Sequence, residues 1–545
     1  MSQLVPVPRL HPIYRIGQGT QSYGSEHWRY VPFCYRLMAS GLLSELRDPP
    51  NDLHLTPDST SIAILDDDCL LNIFRLYCPD FLYGIESDAG RVVEGWKGHR
   101  DRVRWWYKLV HVCRRWRHLV FGSASYLGLC LLCTHGTPVA DMLAHSPPLP
   151  LVIDHDFCGS TAGDAKQLMI LIDPQHRDRM RGIRLSNALP EKLIVAVDDE
   201  FPMLEYLSIV PRSGLNFTRN TGCLVLPRTF QAPRLRHLIL SNFARPIGSP
   251  PHLGATNLVT LSLLNIPFGI HFGLDTLLEW VSLLPRLETL WIEFCSRSPF
   301  LPLSTEVEWP LAHIQNMPYV TLPNLCNLNF RGVIVCLEAL LSRITAPRLD
   351  VLHVIFKFIA PQPTFSIPYL LQFMSTSENL KLRRAELVFG GQRVGITAYP
   401  DETAALSPSF ILDFPSGRLG LKVSSAAKIL YVLSPVFTSV MDLTLNLQTC
   451  RSDSWIEWQI ENEVELTQWR TILRSFNNAN TLRIRSGLVG VLSRSLQLND
   501  GESPTDLLPC LKELIYSPTS RTGDAFRGFI DARQNAGHPV TLVRD

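Results

Sequence analysis

The chain has 545 residues and a mass of 61.5 kDa, is 46% hydrophobic and 19% charged, and so exceeds one ordinary compact domain while having ample material for a core. Its 51 basic and 50 acidic side chains leave a formal charge of +1, which excludes a polycation that coats nucleic acid or an anionic membrane over its whole surface. Thirteen cysteines, an odd number without a dense framework, fit a reducing setting rather than a secreted disulfide scaffold, so the expected location is intracellular, cytoplasmic or nuclear. The segment 1–60 takes no assignment. It has no continuous apolar core of the kind a signal peptide needs, and Gly17, Gly19 and Gly24 lack the spacing of a dinucleotide-binding loop. No run in the chain is apolar for long enough to predict a transmembrane helix.

Residues 61–125 carry the first strong signal. Asp66, Asp67 and Asp68 precede an apolar stripe, and carboxylates at that end satisfy free N–H groups and favour the helix dipole. Leu70, Ile73, Phe74 and Tyr77 then fall on one helical face, and Pro79 ends the run. A second helix is expected over Trp105–Val120, with Trp105, Leu109, Val112, Cys113, Trp116, Leu119 and Val120 in one stripe. Arg114, Arg115, Arg117 and His118 project elsewhere on it. Basic residues among aromatics can bind single-stranded nucleic acid, but the aromatics here align with the apolar stripe, so a solvated basic face is expected and no nucleic-acid or membrane partner.

These two segments resemble the F-box family, whose motif runs L-P-x-D-x-L-x-x-I-F and then W-x-x-L-x-x-V-C-R-x-W-R. Leu65, Asp68, Leu70, Ile73 and Phe74 match the first part; Trp106, Leu109, Val112, Cys113, Arg114, Trp116 and Arg117 match the second. Asp66 stands where the family usually has proline, and the connection, about Asp80 to Arg104, is longer than usual. The resemblance implies contact with a small SCF adaptor protein through Leu65, Leu70, Ile73, Phe74 and Trp116. Some of these must instead form the module's own core, and the sequence does not divide the two sets.

Residues 126–160 read as a strand and proline-rich bridge, from Leu127 through Cys133 and on to Pro147–Ile153, similar to the segment that follows the F-box in large fungal F-box families. Cys130 and Cys133 have C-x-x-C spacing, but no second pair completes a four-ligand zinc site, and in a strand the two point to opposite faces. Neither a metal nor a cofactor is expected. Asp154-His155-Asp156 places carboxylates around an imidazole; a solvated turn is the expectation, and catalysis is not.

From 161 to 530 one pattern recurs, P-x-L-x-x-L-x-L. It follows Pro202, Pro233, Pro285, Pro323 and Pro347, appears without proline at Leu258–Leu263, and echoes at Leu511–Leu514 after Pro509. The last two apolar positions lie two apart, as on one face of a strand, and the proline is expected to set an extended entry. Helices are expected between units, over Leu274–Leu284, Cys336–Ile344 and Ile367–Met374. The first leucines, Leu204, Leu235, Leu258, Leu287, Leu325 and Leu349, are spaced by 31, 23, 29, 38 and 24 residues, straddling the leucine-rich-repeat period irregularly. From 395 to 500 the pattern fades, with strands over Val440–Leu447 and Thr481–Ile484 and a helix over Leu466–Phe476.

The expected fold is therefore α/β, a helical F-box module followed by an irregular leucine-rich-repeat solenoid. An F-box followed by leucine-rich repeats is a recurring family architecture, and the resemblance implies the substrate-recognition subunit of an SCF-type E3 ubiquitin ligase. Its partners would be the adaptor, a cullin through it, and a target protein on the repeats; the chain itself would not be an enzyme. The alternative is a leucine-rich scaffold whose F-box-like helices form an internal cap.

Overall fold

The computed structural model describes residues 65–78, 104–134, 137, 139–145, 147–156, 173–186, 200–210, 229–242, 254–266, 274–294, 317–357, 367–390, 393–400, 407–415, 419–448, 463–485, 487–499, 501–517 and 524–544. The segment 1–60, with Gly17, Gly19 and Gly24, lies outside them, as do Pro79 and nearly all of the Asp80–Arg104 connection.

The described residues open with a helix α1 (Asp67–Tyr77), two short 3-10 turns (Trp105–Tyr107 and Leu109–His111) and a helix α2 (Arg114–Gly122). Among the described residues sixteen strands then build one sheet. In chain order the first seven are β1 (Leu131–Thr134), β2 (Leu151–Asp156), β3 (Met180–Ser186), β4 (Tyr206–Val210), β5 (His237–Ser241), β6 (Thr260–Ile266) and β7 (Thr289–Phe294). Next come the small β8 (Val320–Thr321), β9 (Asn327–Gly332), the small β10 (Ile344–Thr345) and β11 (Val351–Phe356). The rest are β12 (Arg384–Phe389), β13 (Arg393–Tyr399), β14 (Phe410–Pro415), β15 (Asp442–Leu447), β16 (Thr481–Ile484), β17 (Glu513–Tyr516) and β18 (Thr541–Arg544).

Neighbours in the sheet follow chain order from β1 to β11, with β8 and β10 set aside as their own parallel pair. Every pairing in this run is parallel. The order then inverts. β14 lies beside β11 in parallel, β13 runs antiparallel between β14 and β12, and β12 pairs in parallel with β15, from which the sequential order resumes to β18. The fading of the repeat after 395 thus marks a meander laid backwards. The array also begins at Leu131, inside the segment read as a bridge, and continues to Arg544, past the boundary at 530.

The local cause of each strand is a tight turn. Leu204, Leu235, Leu287, Leu325 and Leu349 each donate an N–H to the carbonyl three residues earlier (Phe201, Ala232, Leu284, Leu322, Ala346) at 3.0–3.3 Å. The proline is the second residue of every one of these turns, where its fixed φ fits and its missing N–H costs nothing. It sets a reversal and not the extended entry expected. Leu258 closes the same turn on Ala255 without a proline. After each turn, alternate residues such as Leu207 and Ile209, Leu238 and Leu240, Leu290 and Ile292 enter one continuous core, all withdrawn from solvent.

Helices α3 (Val139–His145) and α4 (Pro174–Arg177) fall between the first strands. A layer follows in chain order: α5 (Leu274–Ser282), α6 (Ile334–Leu341), α7 (Pro368–Thr376), α8 (Leu419–Phe437), α9 (Glu463–Arg474) and α10 (Val489–Ser495), each packed on the next. Helix α11 (Arg527–Asn535) precedes the last strand. Helix α8 is the longest because it must carry the chain from β14 back across β13 and β12 to β15. The helix expected over Cys336–Ile344 sits at Ile334–Leu341 instead, and Ile344 enters β10.

The N-cap position of helix α7 is Ile367, whose side chain cannot cap it. Glu338 of α6 supplies the cap: its two oxygens accept the N–H groups of Tyr369 at 2.9 Å and Leu370 at 3.0 Å. Burial lifts its carboxyl from 4.5 to about 7, against these two bonds that favour ionisation. The folded value lies above the unfolded one, so the folded chain holds the extra proton between them. The associated stability is fully present below the unfolded value and is lost as pH rises through about 7. Glu338→Gln should flatten this decline in Tm across that window; an unchanged slope in the variant would sink the assignment.

Candidate functional site

The helical cluster is built around the first two segments. Asp66 is the N-cap of α1, its carboxylate accepting the Cys69 N–H at 2.6 Å, and that bond holds the carboxyl below its ordinary value. Asp67 and Asp68 occupy the first turn and Arg75 the last, matching the helix dipole. Across the cluster the Arg115 guanidinium meets Asp67 at 2.7 Å and donates to the Leu65 carbonyl at 2.6 Å, locking the start of α1 to the start of α2.

The single helix expected over Trp105–Val120 is broken. Cys113 takes an extended backbone and caps α2 through its sulfur, while the preceding residues form two 3-10 turns. Arg117 compensates by donating to the Val110 carbonyl at 3.0 Å. Arg115 and Arg117 are thereby engaged within the chain, while Arg114, Arg115 and His118 stay exposed to solvent, as the basic face was expected to.

The structure separates the five proposed adaptor residues. Leu70 and Phe74 have no exposed surface, and Phe74 packs edge-to-face on Trp116 with ring centroids 4.7 Å apart. Both are core residues, each stabilising by roughly 1.5–3 kcal/mol, and neither is available to a partner. Leu65, Ile73 and Trp116 are half-buried. The most exposed apolar side chains of α1 are Leu76 at 85%, which sequence reasoning passed over, and Tyr77 at 69%, which it placed on the apolar face with Leu70 and Phe74. With Ile73 they fall three and four residues apart, forming an apolar patch at the C-terminal end of the helix.

The cluster shares its core with the sheet. Trp106 is buried and its indole N–H donates to the Cys130 carbonyl at 3.3 Å, just ahead of edge strand β1. Cys130 and Cys133 point to opposite faces, Cys130 with Leu132 and Val152 and Cys133 in the main core against Met142. Burial pushes the Cys133 thiol up to about 12, so it stays protonated. Asp154-His155-Asp156 forms the end of β2 and not a solvated turn. Asp154 is fully buried and ion-paired with Arg184 at 2.8 Å, directly opposite on β3.

The sheet face away from the main core carries, in register from β4 to β11, Ser208, Ile239, Ser262, Trp291, Asn329 and His353. Arg331 lies over the Trp291 ring at 5.2 Å, and Lys357 pairs with Glu293 at 2.8 Å. Burial lowers both His237 and His353 to about 4, so both imidazoles are neutral at neutral pH. Among the described residues no group of three or more histidine, cysteine, aspartate or glutamate side chains is placed to hold a metal ion, and no helix is long and apolar enough to cross a membrane.

No family model and no curated protein sequence matches this chain. Among solved structures the chain is similar to the leucine-rich repeat-containing protein LegL7 from Legionella pneumophila, at 12% identity and a TM-score of 0.25, over 76% of this chain and 99% of that one. The leucine-rich repeat character of the present chain rests on its own turns, strand order and buried leucines.

Proposed function

We propose that this chain is the substrate-recognition subunit of an SCF-type E3 ubiquitin ligase. The helical cluster docks on the adaptor, and through it a cullin, while the leucine-rich array holds a target protein. The observation that carries this reading is the division of α1 into two faces. Leu70 and Phe74 anchor it in the same core as the sheet, while Ile73, Leu76 and Tyr77 remain at the surface. A partner seated on that patch would fix the orientation of the whole array. The chain would perform no bond chemistry; it would raise the effective concentration of the target near a ubiquitin-charged enzyme, as a bivalent linker does.

A second reading is a scaffold without ligase function. It is favoured by the bond from Trp106 to the Cys130 carbonyl, since a cap that covers an edge strand is what a solenoid end requires in any case. Co-purification of the full chain with the SCF adaptor of its own cell separates the two. Leu76→Asp, at an exposed position, should leave the circular dichroism and Tm unchanged and weaken adaptor binding by about 30-fold, as loss of an apolar anchor does. Failure of the folded wild-type chain to bind the adaptor would leave the scaffold reading in its place.

A further inference from the structure

The repeated turns place one side chain directly after each proline position and another two residues later, each exposed or half-buried and none in the core. Stacking the turns brings these into columns along the edge where the strands begin. The first column reads Arg234, Asn257, Arg286, Asn324 and Arg348, on the entries to β5, β6, β7, β9 and β11. Guanidinium groups therefore recur on every second strand, about 10 Å apart at the spacing of neighbouring strands. A groove of about 590 Å³ opens here, lined by Arg234, Arg236, Arg286, Glu205 and Glu288 among others.

The charges in this groove do not cancel. Glu205 is committed to Arg181 at 2.9 Å. Among the described residues Arg234 donates to the Met203 sulfur, a weak acceptor, at 3.0 Å. Arg236, Arg286 and Glu288 form no ion pair among the described residues, and all three are exposed, as is Arg234. Three guanidiniums thus face one uncommitted carboxylate, with the side-chain amides of Asn257 and Asn324 flanking Arg286. A guanidinium is geometrically suited to take an oxyanion through two parallel N–H bonds.

We infer that this strand-entry groove binds an extended, acidic peptide segment whose oxyanion side chains, carboxylate or phosphorylated, sit on Arg234 and Arg286. A peptide in the extended polyproline II conformation has three residues per turn and rises about 3.1 Å per residue, so side chains three apart share one face about 9 Å apart and match guanidiniums two strands apart. Glu205 and Glu288 in the lining set a peptide apart from a nucleic acid, because they oppose a continuous phosphate backbone and can accept peptide N–H groups. The inference deepens the reading of the array as a target receptor and is independent of the adaptor.

The test uses the full chain and fluorescent peptides of about twelve residues carrying glutamate, phosphoserine or lysine at every third position, with a single-stranded oligodeoxythymidylate as competitor. The glutamate or the phosphoserine peptide should bind and the lysine peptide should not, and which acidic peptide binds more tightly identifies the source of the oxyanion. Arg234→Ala with Arg286→Ala should weaken that binding at least tenfold, Arg286→Glu should abolish it, and the remote Arg527→Ala should leave it unchanged. All these positions are exposed, and unchanged circular dichroism confirms folding. Absence of binding by either acidic peptide, binding indifferent to Arg286→Glu, or displacement by the oligonucleotide at lower concentration than by peptide would each overturn the inference. Adaptor co-purification of the arginine variants distinguishes failure of this groove from failure of the ligase reading.

Discussion

Arg533→Met should cost the C-terminal end of the array about 3 kcal/mol or more. Arg533 on α11 is only 1% exposed, and its guanidinium donates to the carbonyls of Pro504, Leu507, Leu508, Pro509 and Leu511 at 3.1–3.5 Å. These carbonyls belong to a loop curled around the charge, and within it Leu508 holds a φ of 53°, a left-handed conformation that costs a side-chain-bearing residue roughly 1–2 kcal/mol. Methionine fills much of the volume but donates nothing, so buried carbonyls lose their partners and the strained turn loses its template. Because a solenoid is stabilised neighbour by neighbour, the loss should be local. Hydrogen exchange should accelerate in β17 and β18 and stay unchanged in β1–β7. Arg533→Lys should restore part of the protection, since one ammonium cannot reach five acceptors. Uniform protection in the methionine variant would refute this role.

The second large effect is expected at Asp154. Its carboxylate has no exposed surface and meets Arg184, itself 15% exposed, across the β2–β3 pairing. Breaking a buried pair by removing one partner strands the other charge, at a cost of about 3–5 kcal/mol, whereas replacing both by apolar groups is often near neutral. Asp154→Ala should therefore lower the urea midpoint strongly, and Asp154→Leu with Arg184→Met should recover most of the loss. Equal destabilisation by the single and the double variant would contradict this account. The position matters for function because β2 and β3 join the helical cap to the remaining strands. On the proposed function, a weakened junction would leave adaptor binding intact while the array lost its fixed orientation.

The array was legible because its core is local and repeated. Each turn places three apolar side chains, such as Leu235, Leu238 and Leu240, into one core, and alternation over so few residues survives any irregularity in spacing. The reversal of β13 was not legible. Val394, Ile396 and Ala398 alternate as any half-buried strand does, and alternation carries no information on direction or neighbour. The break at Cys113 escaped for a related reason: a helical stripe of apolar residues is also satisfied by 3-10 turns followed by a helix. Contacts from distant parts of the chain, Glu338 on the N–H groups of α7 or Arg533 on the 504–511 loop, leave no local trace. The same holds for the division of the α1 stripe, where Leu70 and Ile73 look alike until the core that buries one of them is in place. The arginines of the strand-entry groove were visible singly; only the stacking of turns makes them neighbours.

The backward meander has a consequence for how the chain acquires its shape as it is made. Through β11, each strand added to the large sheet finds its neighbour already made, so assembly can keep pace with synthesis. That order fails at β12, whose place is three strands along from β11, with β14 and β13, not yet made, lying between them. The growing edge must wait until Phe410–Pro415 of β14 has emerged to close on Leu352–Ile355, and only then can β12 present itself to β15. A nascent chain paused between β11 and β14 would expose an unpaired, apolar strand edge, and that interval is where a chaperone would be needed most.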